Sequence, residues 1–224
     1  MRAAASFSGP RNALRGRHPA VHKSHGALRT IREPVSVHGT VFGCAAVFLV
    51  GYLPGILLGR NGTTTLGQQL STFYTAQDRL MVWNDLFISQ SAAFFLQLLS
   101  VWLCGFTAFG FGLLLLLFAG KGLFLGFCSA NILTLEGTNA LCLYWISDCL
   151  PQVMLLLLLL WLAGHATALS HGVFQSIFLG GAPRGQLIGN ARRLTIRFLL
   201  CIPMSWFIGL LCSGLSVLLV RFFL

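Results

Sequence analysis

Charged residues are scarce in this sequence, and acidic residues are the scarcest. Only 9% of the residues are charged, five of the 224 are Asp or Glu, and hydrophobic residues make up 56%. A soluble globular domain carries about 25% charged residues. The composition therefore excludes an ordinary soluble domain and indicates an integral membrane protein.

Sequence patterns of common enzyme and cofactor sites are also missing. The chain has no His-Glu-x-x-His motif, no pair of carboxylates within an apolar run and no Cys-x-x-Cys pair among its seven cysteines. The Gly-Lys pair at Gly120 and Lys121 lacks the earlier glycine and the following Ser or Thr of a phosphate-binding loop. We therefore expect no catalytic activity, no metal or other cofactor, and no nucleic-acid partner.

Apolar runs predict an all-α integral membrane protein with about five transmembrane helices. A helix needs about 20 residues to cross the hydrocarbon core. Four runs are long enough: 39–59, 92–118, a run that begins near Leu141 and contains the hexaleucine segment, and 194–220. The run 122–135 has 14 residues, so it is either a short fifth helix or a re-entrant hairpin.

The basic residues favour the fifth helix. Cytoplasmic loops accumulate Lys and Arg. With five spans and the N-terminus inside, 12 of the 15 basic residues are cytoplasmic, and only Arg60, Arg79 and Arg221 lie outside. A re-entrant hairpin gives 9 inside and 6 outside. We therefore expect a cytoplasmic N-terminus and an extracytoplasmic C-terminus.

The stretch "FAGKGLFLGF" predicts a tight turn between two of these helices. Gly120 and Gly122 flank Lys121 and give the backbone the freedom that a turn needs. The long lysine side chain can reach the headgroups from the cytoplasmic side. Gly126 follows Gly122 by four residues, a spacing that lets a neighbouring helix pack closely.

The first 37 residues differ from the rest of the chain. They contain seven basic residues and one acidic residue, and they show no sustained apolar period. Such a segment cannot bury enough apolar surface to fold. Residues 1–37 are therefore predicted to form a disordered cytoplasmic tail that lies along anionic membrane lipid, and residues 38–224 to form the membrane domain.

The segment 60–91 is predicted to lie on the outer face. Apolar and aromatic residues recur in it at helical spacing, which predicts an amphipathic helix. Two interpretations stay open: the helix docks a partner, or it packs as a connector on its own bundle. The candidate partner-facing residues are Phe73, Tyr74, Leu80 and Met81.

Polar residues inside the apolar runs are functional candidates by default. Asp148 lies in "YWISDCLPQVM", just before Pro151 and Gln152. Because Pro151 has no N–H, it frees a carbonyl and kinks the helix. We favour a capping or kink-stabilising role for Asp148, with Asn131 as its one obvious polar companion.

The order of these features resembles stage II sporulation protein M and its relatives over roughly residues 40–180. The sharpest matches are Lys121-Gly122 with Gly126-Phe127, and Leu150-Pro151-Gln152. Family members carry Asn after Pro-Gln, whereas this chain has Val153.

The resemblance implies a non-enzymatic scaffold that holds membrane-anchored peptidoglycan hydrolases at the septal membrane during engulfment in sporulation. The alternative is a permease-like subunit of a transport system that works with an ATPase, for which the basic segment 181–197 is a candidate docking site. An oligomer is compatible with either function.

Overall fold

The computed structural model of the protein describes residues 37–61, 64–75, 82–178 and 184–223. These residues are helical apart from short connections, and none of them belongs to a strand. The elements are α1 (Val37–Gly59), α2 (Thr65–Thr75), α3 (Trp83–Phe106), α4 (Gly110–Leu135), α5 (Gly137–Tyr144), a π-helical turn (Trp145–Cys149), α6 (Leu150–Phe178) and α7 (Arg184–Phe223).

Five helical stretches are long and apolar enough to cross a membrane. They are Gly39–Gly59, Trp83–Phe106, Gly110–Leu135, Gly137–Phe178 and Gly185–Leu218. In hydrocarbon every backbone N–H and C=O needs a partner within the protein, and a continuous helix supplies it. The prediction of an all-α, multi-pass membrane fold with about five spanning helices is confirmed.

The turn predicted at Gly120–Gly122 is wrong, because Lys121 lies within α4, a single helix of 26 residues. The run 122–135 is the second half of this span, so it is neither a short helix nor a re-entrant hairpin. Glycines in a membrane helix serve close packing as well as turns, and the sequence alone did not distinguish the two uses.

The chain reverses instead at residues 107–109, between α3 and α4. The Ser170 hydroxyl of α6 donates a hydrogen bond of 2.9 Å to the Thr107 carbonyl and holds this turn against the bundle. The apolar run 92–118 therefore contains the end of one spanning helix and the start of the next. Its sequence stays apolar through the reversal, which is why the run was predicted as a single span.

The outer segment predicted for 60–91 is also too long at its C-terminal end. Residues 83–91 already belong to the spanning helix α3. Their polar side chains suggested a solvated segment, but Gln90 is buried in the bundle. Leu80, Met81 and residues 1–36 of the predicted 1–37 tail lie outside the described residues, and Val37 is already the first residue of α1.

Contacts between the helices define two ends of the bundle. We call the end that carries α2 the α2 end, and the end that carries the 107–109 turn the turn end. Helices α1, α4 and α7 run toward the α2 end, whereas α3 and the long helix through α5 and α6 run toward the turn end.

The apolar core lies where the five spanning helices meet. Its side chains are large and fully buried, and they interlock across the helix interfaces as in other protein interiors. They include Phe94 and Leu98 of α3, Phe118 of α4, Leu155, Leu159 and Leu162 of α6, and Leu194 of α7.

Candidate functional site

Lys121 is a lysine inside the helical bundle. Its Nζ donates hydrogen bonds to Oε1 of Gln97 on α3 and to Oε1 of Gln152 on α6, the latter at 3.0 Å. Gln97 Nε2 in turn donates to Gln152 Oε1 at 3.4 Å. Three spanning helices are therefore joined by one cation and two neutral amides.

The position of Lys121 along α4 places it near the centre of the span. It follows Gly110 by 11 residues and precedes Leu135 by 14, or about 16 Å and about 21 Å along the helix axis. A lysine at the centre of a bilayer costs about 2.5–3.5 kcal/mol on insertion scales. The two amide oxygens offset part of this cost, since hydrogen bonds from a charged donor are stronger than neutral ones.

The π-helical turn is a second polar site, closer to the α2 end. Pro151 has no N–H to give to the Ser147 carbonyl one turn earlier, and Gln90 Nε2 of α3 donates to that carbonyl at 2.8 Å. The Ser147 hydroxyl donates to Asp148 Oδ2 at 2.9 Å. Asp148 is buried in the turn, and π-helical turns are frequent at functional sites.

The two sites lie on one line along the contact between α3 and α6. We call this line the polar seam, which consists of Gln90, Gln97, Lys121, Ser147, Asp148 and Gln152. Sequence reasoning named Lys121, Asp148 and Gln152 but missed both glutamines of α3. Their spacing of seven residues in an apolar helix was the available signal, because it places them on one helix face.

Gly122 and Gly126 lie in a close contact between α4 and α1. A methyl group at Gly122 would overlap the Phe48 carbonyl oxygen, and one at Gly126 would overlap that of Tyr52. The opposite face of the contact is built from Gly51, Gly55 and Gly59 of α1, which meet the carbonyls of Ala119, Leu123 and Phe127. Small residues four apart on both helices let the two backbones touch. Gly120 faces open space instead.

The outer helix α2 packs on its own bundle. Asn131 of α4 donates from Nδ2 to the Gly67 carbonyl of α2 at 2.6 Å. The rings of Tyr74 and Tyr144 meet edge to face with centroids 5.1 Å apart. Asn131 therefore contacts α2, and Asp148 lies on the π-helical turn.

The candidate partner-facing residues divide into two groups. Tyr74 is half-buried against α5, whereas Phe73 is 53% exposed at the surface of α2. Leu66 of the same helix is 61% exposed. Two apolar side chains of α2 are thus exposed at its surface.

Within the described ranges, no group of three or more His, Cys, Asp and Glu side chains could hold a metal ion. The described cysteines are all free thiols.

No protein-family model matches this chain, and no curated protein or solved structure is significantly similar to it. The resemblance to stage II sporulation protein M therefore stays a prediction. Val153, where that family carries Asn, is 38% exposed on α6, so its side chain does not belong to the polar seam.

Proposed function

We propose that this protein is a non-enzymatic membrane scaffold, similar to stage II sporulation protein M, that holds membrane-anchored peptidoglycan hydrolases at the septal membrane during engulfment. The observation that carries the proposal is the attachment of α2. Asn131 and Tyr144 hold this helix against the α2 end of the bundle, while Leu66 and Phe73 remain exposed. A helix that is already ordered loses little conformational entropy on binding a partner.

The test is to replace both exposed apolar residues of α2 and to follow a defined enzymatic activity. The variant Leu66→Ser/Phe73→Ser is compared with Gln69→Ser/Thr72→Ser, in which two exposed polar residues of the same helix change. The protein is purified in mild detergent from sporulating cells, and co-purifying peptidoglycan-hydrolase activity is measured. We expect at least about a tenfold loss in the first variant only, because each buried apolar anchor contributes about 1–2 kcal/mol to an interface. Absence of hydrolase activity with the parent protein would refute the scaffold.

The proposal includes an orientation in which the N-terminus and the turn end face the cytoplasm. Its support is the distribution of basic residues, since Arg192 and Arg193 lie in the first three turns of α7, and Leu194 beside them contacts Gly105 near the turn end. Short cytoplasmic segments carry such an excess of basic residues. In a cysteine-free background, an impermeant thiol reagent should label Thr138→Cys in intact cells and Gly185→Cys only after lysis. The reverse pattern would invert the topology.

A second function, a permease-like subunit that works with an ATPase, is favoured by the polar seam. Transport proteins place ionisable residues within their spans, facing the bundle interior, as Lys121 does here. The segment proposed to dock the ATPase is helical from Arg184 onward. Helix α6 extends past the 107–109 turn, because Ser170 contacts that turn and α6 continues to Phe178. Leu187 of α7 lies beside Gly172 in this extension.

Lys121→Met separates the two functions. A transport subunit should lose substrate uptake with this variant while its membrane level is retained, whereas a scaffold should keep its hydrolase partner. Stimulation of a co-purifying ATPase by the parent protein would support transport. Retained substrate uptake with Lys121→Met would show that the polar seam does not support the transport function.

A further inference from the structure

A cavity of about 380 Å³ lies at the turn end, far from the polar seam. Its wall includes Thr40 of α1, Phe109 of the 107–109 turn, Gly112 of α4, and Thr167, His171 and Phe174 of α6. Ligand sites typically measure about 300–1,000 Å³ and combine an apolar wall with a few polar groups. This wall has that character, since aromatic side chains alternate with two threonines and a histidine.

Two polar side chains of the wall are available to a ligand. Thr40 is 7% exposed, and its side chain lines the cavity. A hydroxyl that lines a cavity can donate a hydrogen bond to an acceptor on a ligand. His171 lies at the exposed rim. The Ser170 hydroxyl, by contrast, is already used by the Thr107 carbonyl.

The charge of the turn end indicates the kind of headgroup. Arg192 and Arg193 are exposed in the first turns of α7, and no carboxylate lies at this end among the described residues. The described carboxylates at the α2 end include Asp85 and Glu136. A basic surface beside the bilayer attracts anionic lipid.

From these observations we infer that the cavity binds one anionic phospholipid of the adjacent leaflet. An acyl chain lies against Phe109 and Phe174, and Thr40 donates a hydrogen bond to an ester carbonyl. The phosphate lies at the rim beside His171, within the field of the α7 arginines. This inference is independent of the scaffold and transport proposals, because it concerns a different surface.

Two glycines of α4 provide a matched test. Gly112 lines the cavity, whereas Gly120 does not, and a methyl group at either position meets no atom within 4 Å. Gly112→Phe should therefore fill the cavity without displacing a helix, and Gly120→Phe should add the same side chain at a position outside the cavity. Native mass spectrometry counts retained lipid after reconstitution with phosphatidylglycerol or phosphatidylcholine.

We expect the parent and Gly120→Phe to retain one phosphatidylglycerol, about fivefold more tightly than phosphatidylcholine. Gly112→Phe should lose it. Equal retention by the two variants, or equal retention of the two lipids, would overturn the inference. If Gly112→Phe unfolds in a thermal scan, the Thr40→Val variant is measured in its place. About fivefold weaker retention of phosphatidylglycerol by Thr40→Val would support the site, and unchanged retention would overturn it.

Discussion

Gly120→Ala and Gly122→Ala make the same chemical change on either side of Lys121, and we expect opposite effects on stability. A methyl group at Gly120 meets open space, whereas at Gly122 it overlaps the carbonyl oxygen of Phe48 on α1. The gain in helix propensity, about 1 kcal/mol for Ala over Gly, is common to both variants. It therefore cancels in their comparison, and the remaining difference is the cost of separating α1 from α4.

Overpacking a well-packed contact costs about 1–3 kcal/mol. We expect Gly122→Ala to be less stable than Gly120→Ala by this amount, and Gly126→Leu to be less stable still, since its larger side chain meets the Tyr52 carbonyl. Reversible unfolding in mixed micelles, followed by tryptophan fluorescence, measures the difference. Equal stability of the two alanine variants would refute the backbone contact between α1 and α4.

Three further predictions concern the polar contacts. The Lys121→Met variant should accumulate in the membrane at the parent's level, and its free energy of unfolding should lie within about 1 kcal/mol of the parent's, because an apolar side chain avoids burying a charge. Loss of folded protein would show that the cation is required. Gln90→Leu should cost about 1–3 kcal/mol in thermal or micellar unfolding, since the Ser147 carbonyl loses its donor, and adding Pro151→Ala should recover part of it by restoring an N–H. Asn131→Leu should release α2 and speed limited proteolysis within 62–82 by at least about fivefold. The control variant Thr134→Val should leave the cleavage rate unchanged. Equal cleavage rates in the two variants would contradict the anchoring of α2 by Asn131.

The sequence was most informative about the number of spans. Hydrocarbon thickness sets the length of an apolar run, and this constraint is independent of how the helices pack. The sequence was less informative about where each span begins and ends. No polar residue other than Thr107 marks the reversal at 107–109, so an apolar turn was joined to both neighbouring helices.

Lys121 shows why a local pattern was insufficient for the candidate site. "AGKG" has the composition of a turn, and the residues that contact it within the helical bundle are far away in the chain. Gln97 and Gln152 lie 24 and 31 residues from Lys121, and Phe48 meets the glycine beside it. Sequence spacing identified Gly122 and Gly126 as a small face but did not identify α1 as its neighbour.

By itself, the sequence determined that the chain is a helical membrane protein with five spans, because the free energy of burying apolar runs and backbone groups in lipid is additive along the chain. Only the tertiary structure decided that Lys121 lies at the centre of a span, that α1 and α4 touch through glycines, and that α2 folds back on its bundle. Those features depend on hydrogen bonds and van der Waals contacts between distant segments. Such contacts are short-ranged and specific to one arrangement of helices, so each helix's own residues do not define them.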